Sequence, residues 1–236
     1  MSPYTGYVFF NLLGLVAAFV VMRRLRFDIY DHLTSMDKSR VTMGLVLGVI
    51  LGSKIPVLIS YGLEPEFFWT GKSLYGALLG AYTGVNLVKR YYRIQGNYGD
   101  RYVIPLCIAV ALGDIGCYVN GCCGGLPTTS RFHILDHSGI PVYPTQIYTS
   151  VFHILCTLFF YVLYTRRKWI QLHFVIYLFL YSIYRFFIEF LRNEPRVFMG
   201  WTVYQWIAFF CTPYFAHVLY RRVRQGVHQT MDQEIM

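Results

Sequence analysis

Four ionisable residues lie inside apolar stretches of this 236-residue chain: Lys54, Asp114, Arg185 and Glu189. Placing such a side chain at the centre of a hydrocarbon layer costs about 2.5–3.5 kcal/mol on insertion scales, so these residues line cavities and mark function. Arg185, Glu189 and Arg192 are spaced i, i+4, i+7, which predicts a cation–anion–cation stripe on one helix face. One reading is a salt-bridged strut in which Glu189 neutralises Arg185. The other counts charge: two arginines and Lys54 against one glutamate leave positive charge over, which suits a phosphate clasped bidentately by guanidinium. Asp114 is either a proton acceptor or a partner that fixes Lys54 or Arg185. Cys117, Cys122 and Cys123 form a second cluster, followed by His133, Asp136 and His137. A zinc or redox site, a disulfide from Cys117 and a plain turning loop all fit it, but adjacent Cys122 and Cys123 are predicted to share one ion only with strain. No metal ligand set and no cofactor are therefore assigned.

The elements that must position these groups are helices. The chain is 56% hydrophobic and only 14% charged, against about 25% charged in soluble domains. Apolar runs predict spans at roughly 4–22, 41–61, 73–88, 102–118, 144–164, 169–190 and 201–220, several slightly short of the ~20 residues that cross a bilayer. The expected fold is all-α, a polytopic membrane bundle of about seven transmembrane helices over residues 1–224, with a frayed polar tail at 225–236. The largest loop, about 119–143, carries Asn120, Gly121, Gly124, Gly125, Pro127, Gly139 and Pro141, a turn-forming composition. The first run starts at Tyr4 without a basic leader, which predicts a retained helix rather than a cleaved signal.

The formal charge of +9 does not call for nucleic acid, because the basic residues sit at the ends of apolar runs. Arg23, Arg24, Arg26, Lys38 and Arg40; Lys89, Arg90, Arg93 and Arg101; Arg166, Arg167 and Lys168; and Arg221, Arg222 and Arg224 make 15 of the 21. An odd number of crossings puts all four groups on one side. The positive-inside bias makes that side cytoplasmic, with the N-terminus outside and the C-terminus inside. All four buried charges then fall in the outer half of the bundle. Apolar helices around a charged pocket there describe a site for a phospholipid head group, and the repeated halves of a transporter are not seen.

Several blocks in order resemble the bacterial prolipoprotein diacylglyceryl transferases. They are Tyr7 with Gly14; Gly48-Val-Ile-Leu-Gly52-Ser-Lys54; Tyr75-Gly-Ala-Leu-Leu-Gly80; Asp100 to Pro105 followed by Gly113-Asp-Ile-Gly-Cys-Tyr-Val-Asn-Gly-Cys-Cys-Gly-Gly125, which is similar to the family signature in a double-cysteine form; Tyr143-Pro-Thr-Gln-Ile-Tyr148; Arg185-Phe-Phe-Ile-Glu189-Phe-Leu-Arg192; and Gln205. The chain departs from the family pattern at several points. Lys54 and Asp114 stand where arginine is usual, Cys117 where asparagine is, Tyr75 and Tyr143 where histidine is, and Thr149 where glutamate is. An anion in place of a cation at position 114 reverses the local electrostatics.

The resemblance implies an enzyme of the bacterial inner membrane that moves the diacylglyceryl unit of phosphatidylglycerol to the lipobox cysteine of an exported prolipoprotein and releases glycerol phosphate. Its partners would be the phospholipid and the prolipoprotein signal peptide. A paralogue with another donor or acceptor, or a non-catalytic lipid-binding protein, are the alternatives. The attacking thiol needs a base and the leaving phosphate needs cations. Tyr75 or Asp114 would serve as base and Arg185 would act at the phosphate. Tyr7, Lys54, Glu189 and Arg192 would complete the lipid site, with the Asn120 and Gln146 amides on the glycerol hydroxyls.

The charge distribution carries a prediction. Cysteine-accessibility labelling from outside should modify positions near Glu64, Ser138 and Asn193 and spare those near Arg23, Lys89, Arg166 and Arg221. External label at Arg166 would overturn the orientation.

Overall fold

A computed structural model describes residues 3–25, 33–64, 69–96, 98–136 and 138–234; Arg26 and His137 lie outside them. Seven long helices carry the chain: α1 (Pro3–Arg24), α2 (Ser35–Tyr61), α3 (Leu74–Tyr92), α4 (Asp100–Asn120), α5 (Thr145–Thr165), α6 (His173–Ile188) and α7 (Val203–Glu234). The protein is a polytopic helical membrane protein. Thr5–Arg24, Ser35–Tyr61, Asp100–Asn120 and Thr145–Thr165 are long and apolar enough by themselves to cross a bilayer. Helix α6 is apolar but has 16 residues, about 24 Å at 1.5 Å per residue. It stops at Ile188, two residues before the predicted end, because the chain turns at Glu189. Helix α7 runs on to Glu234 and takes in most of the segment expected to fray.

The helices pack α2 on α3, α1 and α5 on α4, and α6 on α7. Leu15, Leu51, Leu87 and Phe210 are each more than 60% exposed, as expected where hydrocarbon rather than water surrounds the bundle. The interior is aromatic: Tyr75, Phe160, Tyr177, Tyr181 and Phe215 are buried together. With lipid as solvent, apolar burial gives little drive to helix association, so close backbone contact has to supply it. Helices α2 and α3 do this through facing glycines. A Cβ at Gly48 would strike the Gly80 carbonyl, one at Gly52 or Gly76 would strike the carbonyl of the other, and one at Gly84 would strike that of Gly44.

Two ends of the bundle differ in chemistry. At one, Arg40 lies 4.2 Å over the Tyr92 ring, Lys89 lies over Tyr98, and Arg222 donates to the Gln171 carbonyl at 3.5 Å. Here Asp100, at the start of α4, accepts from the Phe174 amide at 3.1 Å and faces His173 at 3.9 Å. At the other end, Gly116 of α4 meets the Tyr7 carbonyl, Lys54 holds the Trp69–Gly71 segment, and Tyr61 reaches Glu194. Two small antiparallel hairpins close this second end. They are β1 (Ile134–Leu135) with β2 (Pro141–Val142), and β3 (Arg196–Phe198) with β4 (Trp201–Thr202). Neither was evident in the turn-rich loops, whose strands are too short to show alternation.

Replacing Gly80 by leucine should separate α2 from α3, since backbone rather than a flexible side chain occupies the space. Overpacking of this kind costs about 1–3 kcal/mol. The expected result is a lowered thermal midpoint in detergent and less folded protein, measured beside Gly113→Ala, whose added Cβ would meet only the Asn11 side chain at ordinary contact distance.

Candidate functional site

The site is built where α6 ends. Arg185 occupies the last turn, and its Nη2 lies 3.0 Å from Glu189 Oε2. The pair is close in distance but not aligned as a hydrogen bond, since neither Glu189 oxygen meets hydrogen-bond geometry. The guanidinium also stacks 4.5 Å from the centre of the Tyr204 ring in α7, a cation–π contact that suits arginine's planar group. Arg185 is 8% exposed and Glu189 is fully buried. Arg192 lies beyond the helix, so the predicted stripe on a single helix face is broken by the turn. Its Nη2 sits 3.5 Å from Glu194 Oε1, and the other Glu194 oxygen accepts from Tyr61 Oη at 2.8 Å.

The arrangement alters the charge balance. Lys54 Nζ donates to the carbonyls of Gly71 at 2.8 Å and Trp69 at 3.2 Å. Asp114 comes from α4 to within electrostatic reach of Arg192, Arg185 and Cys122. With Glu194 it adds two carboxylates that the positive surplus did not include. Five side-chain atoms here nevertheless remain buried with unmade hydrogen bonds: Nε of Arg185, Nε of Arg192, Oδ2 of Asp114 and both carboxylate oxygens of Glu189. Buried polar atoms are normally satisfied, and an orphan in a native site is where a ligand or ordered water completes it. Two guanidinium donors and three carboxylate acceptors are thus open, and Asp114 lies within electrostatic reach of both arginines.

Other expected site residues are placed differently. Tyr75 is 1% exposed, and its hydroxyl donates to Ser182 Oγ at 2.8 Å, which donates in turn to the Leu178 carbonyl at 2.7 Å. Its phenol is therefore in the core, one turn beneath Arg185, where it braces the arginine's helix. The Gln146 amide nitrogen donates to the Cys122 carbonyl, and the Asn120 amide bonds the Cys122 sulfur. Both hold the cysteine loop. Tyr7 packs its backbone on Gly116, and its carbonyl accepts from Asn11 at 2.8 Å. Gln205 Oε1 accepts from Thr202 N at 3.0 Å and Arg196 Nη1 at 3.2 Å, fixing the start of α7.

Some residues escaped the sequence reading. Glu194 and Tyr204 complete the two arginines' surroundings, and the polar run Arg192-Asn193-Glu194 was the available signal for the first. His153 is fully buried, with Nδ1 2.8 Å from the Thr149 carbonyl and Nε2 3.1 Å from Tyr177 Oη. Its motif position gave no signal.

The cysteine loop closes one side. Helix α4 ends at Asn120, and Gly121, with φ of 70°, donates back to Cys117 and Tyr118 carbonyls. Cys123 also has a left-handed φ of 62°, uncommon for a residue with a Cβ. That turn folds the chain back, so that Sγ of Cys117, Cys122 and Cys123 lie within 4.8 Å of one another. The adjacent cysteines are thus brought together at the cost of a left-handed backbone at Cys123. Hydrogen bonds from Cys117, Cys123 and Asn120 lower the Cys122 thiol below its ordinary range. His133 and Asp136 do not join the cluster. His133 Nδ1 contacts the Ser130 carbonyl at 2.8 Å, while Asp136 Oδ1 accepts from the Ser138 and Ile140 amides. The loop is fastened by Thr145 Oγ1 to the Cys123 carbonyl, and by Leu126 N to the Leu191 carbonyl beside Arg192.

An apolar cavity of about 570 Å³ runs along α3 from Leu74 through Leu78 to Lys89, walled by Leu15 and Phe19 of α1, Leu45 of α2 and Leu106 of α4. It leads from the level of Tyr75 toward the basic end.

A family model for prolipoprotein diacylglyceryl transferase matches residues 3–220. Similar proteins include phosphatidylglycerol–prolipoprotein diacylglyceryl transferase 2 of Clostridium perfringens, 35% identical over 67% of this chain and 68% of that protein. The Clostridium tetani transferase is 30% identical over 81% of this chain and 82% of its own length. That of Ehrlichia ruminantium is 30% identical over 83% and 81%.

Glu189 is the carboxylate that faces the buried Arg185 guanidinium. Truncating one partner of a buried pair typically costs about 3–5 kcal/mol. Glu189→Ala should therefore lower the thermal midpoint in detergent markedly, and Glu189→Gln less. Equal midpoints for wild type and Glu189→Ala would show that the pair does not hold this end together.

Proposed function

Because this chain belongs to the prolipoprotein diacylglyceryl transferase family, we propose that it transfers the diacylglyceryl group of phosphatidylglycerol to the cysteine thiol of an exported prolipoprotein. One observation carries the assignment to this site: the buried Nε donors of Arg185 and Arg192 have hydrogen bonds unmade, and so has Oδ2 of Asp114, which lies within electrostatic reach of both. The reaction needs that combination. Positive donors must meet the phosphate oxygens as they take up the electron pair of the breaking C–O bond, and an acceptor must take the thiol proton.

Arg185 is the principal phosphate ligand, held by Glu189 and the Tyr204 ring; Arg192 contacts the same group from the turn. Asp114 accepts the proton. Tyr75 supports Arg185 through Ser182, and Tyr7, Asn120 and Gln146 shape the walls around the glycerol. Lys54 fixes the edge of the pocket by holding the segment at Trp69 and Gly71. The lipid's acyl chains run into the apolar cavity along α3. The basic end faces the cytoplasm and the site opens at the outer side of the bacterial inner membrane, where an exported lipobox would present its cysteine.

The test is phosphatidylglycerol-dependent transfer to a lipobox peptide by purified variants with normal thermal midpoints. Arg185→Ala removes a planar cation from a low-dielectric pocket, and a loss of about 3 kcal/mol or more corresponds to at least a hundredfold in rate. Arg185→Lys keeps the charge without the fork and should recover part of the activity. Arg192→Ala, at a more exposed side chain, should be milder. Full activity in Arg185→Ala would remove this residue from the reaction.

A further inference from the structure

Three thiols converge beside the carboxylate and arginines of the site, and the transferase reading gives them no task. Cys117 comes from the last turn of α4, and Cys122 and Cys123 from the loop after it. Their sulfurs lie within 4.8 Å of one another, while tetrahedral zinc with Zn–S of about 2.3 Å needs sulfurs roughly 3.8 Å apart. A contraction of about 1 Å falls within rotamer adjustment of side chains on a loop. The backbone is held in the required turn by Gly121, by the left-handed Cys123, and by Gln146 and Thr145 on the two cysteine carbonyls. Arg192 lies within electrostatic reach of Cys123. Among the described residues no histidine or carboxylate joins the three sulfurs as a fourth ligand. Three thiolates with one coordination position left form an open rather than a structural zinc site.

We propose that Cys117, Cys122 and Cys123 bind one zinc ion whose fourth position takes the acceptor cysteine, so that the metal delivers it as a thiolate. This rests on the transferase reading above. Zinc makes a coordinated thiol give up its proton, and at this site the proton passes to Asp114. The bound sulfur's electron pair then forms the S–C bond to the glyceryl carbon. The C–O bond to phosphate breaks, its pair stays on the phosphate oxygen facing Arg185 and Arg192, and glycerol phosphate leaves. Zinc remains divalent throughout and no electron acceptor is needed. The acceptor thiol, with an ordinary pKa near 8.5, is otherwise only a few per cent ionised at neutral pH.

The experiment uses the full chain in detergent, reduced and stripped with chelator, and titrated with Co²⁺ as a coloured substitute for zinc. One Co²⁺ per chain should bind with sulfur-to-cobalt charge-transfer absorption, displaced by zinc. A lipobox peptide should raise that absorption by about one third, as a fourth thiolate joins three, and a peptide with serine for cysteine should not. Cys117→Ser, Cys122→Ser and Cys123→Ser should each weaken binding at least tenfold, with thermal midpoints checked against wild type. Stripping zinc should slow transfer roughly thirtyfold at neutral pH, the ratio set by thiol ionisation, and zinc should restore it. Absence of the sulfur-to-cobalt band in the reduced protein, or its persistence in all three serine variants, would overturn the site. A band indifferent to the peptide, with transfer surviving the chelator, would overturn the role of the metal and leave the transferase reading standing. Peptide coordination without transfer from phosphatidylglycerol, with or without zinc, would instead count against the transferase reading while the metal site held.

Discussion

The end of α6 is organised by one buried carboxylate. Glu189 has no exposure and lies 3.0 Å from a guanidinium that is itself nearly buried. In a low-dielectric interior neither charge is stable alone, so the presence of each dictates the position of the other. Much of the surrounding structure serves that pair. Tyr204 at the start of α7 provides a ring for Arg185, Thr202 and Gln205 lock the turn into α7, and the Tyr61–Glu194 bond brings α2 to the same place. The short length of α6 belongs to the same constraint, since continuing the helix would carry Arg192 away from the loop that Leu191 anchors.

A pocket of this kind needs helices whose spacing does not drift, and lipid offers no hydrophobic drive to set it. The facing glycines of α2 and α3 answer this by letting backbone touch backbone. The effect reaches the site through Tyr75, which adjoins Gly76 and donates to Ser182 one turn before Arg185. Helix spacing and arginine position are thus parts of one packing arrangement, although no charged group lies against the facing glycines themselves.

The loop after α4 joins these parts on the remaining side. Gly125 pairs with Arg192 as an isolated bridge, and the Cys122 and Cys123 carbonyls are held by α5. Replacement of the usual signature arginine by Asp114 is consistent with this setting. An acidic group lies within electrostatic reach of both arginines and of Cys122.

Helix number, the segregation of basic residues to one end, and the pairing of Arg185 with Glu189 were legible in the chain itself. They follow from local quantities: apolar run length, charge position and i, i+4 spacing. The order of the motifs likewise carried the family. Only the tertiary structure placed Lys54 on the carbonyls of Trp69 and Gly71, buried Tyr75 behind Ser182, and brought Glu194 and Tyr204 to the arginines, because these contacts join residues far apart in sequence. It also ended α6 before Arg192. The cysteines show the division most clearly. Their spacing argued against Cys122 and Cys123 sharing one ion without strain, and it took the positive φ of Cys123 and the grip of α5 to bring all three sulfurs together.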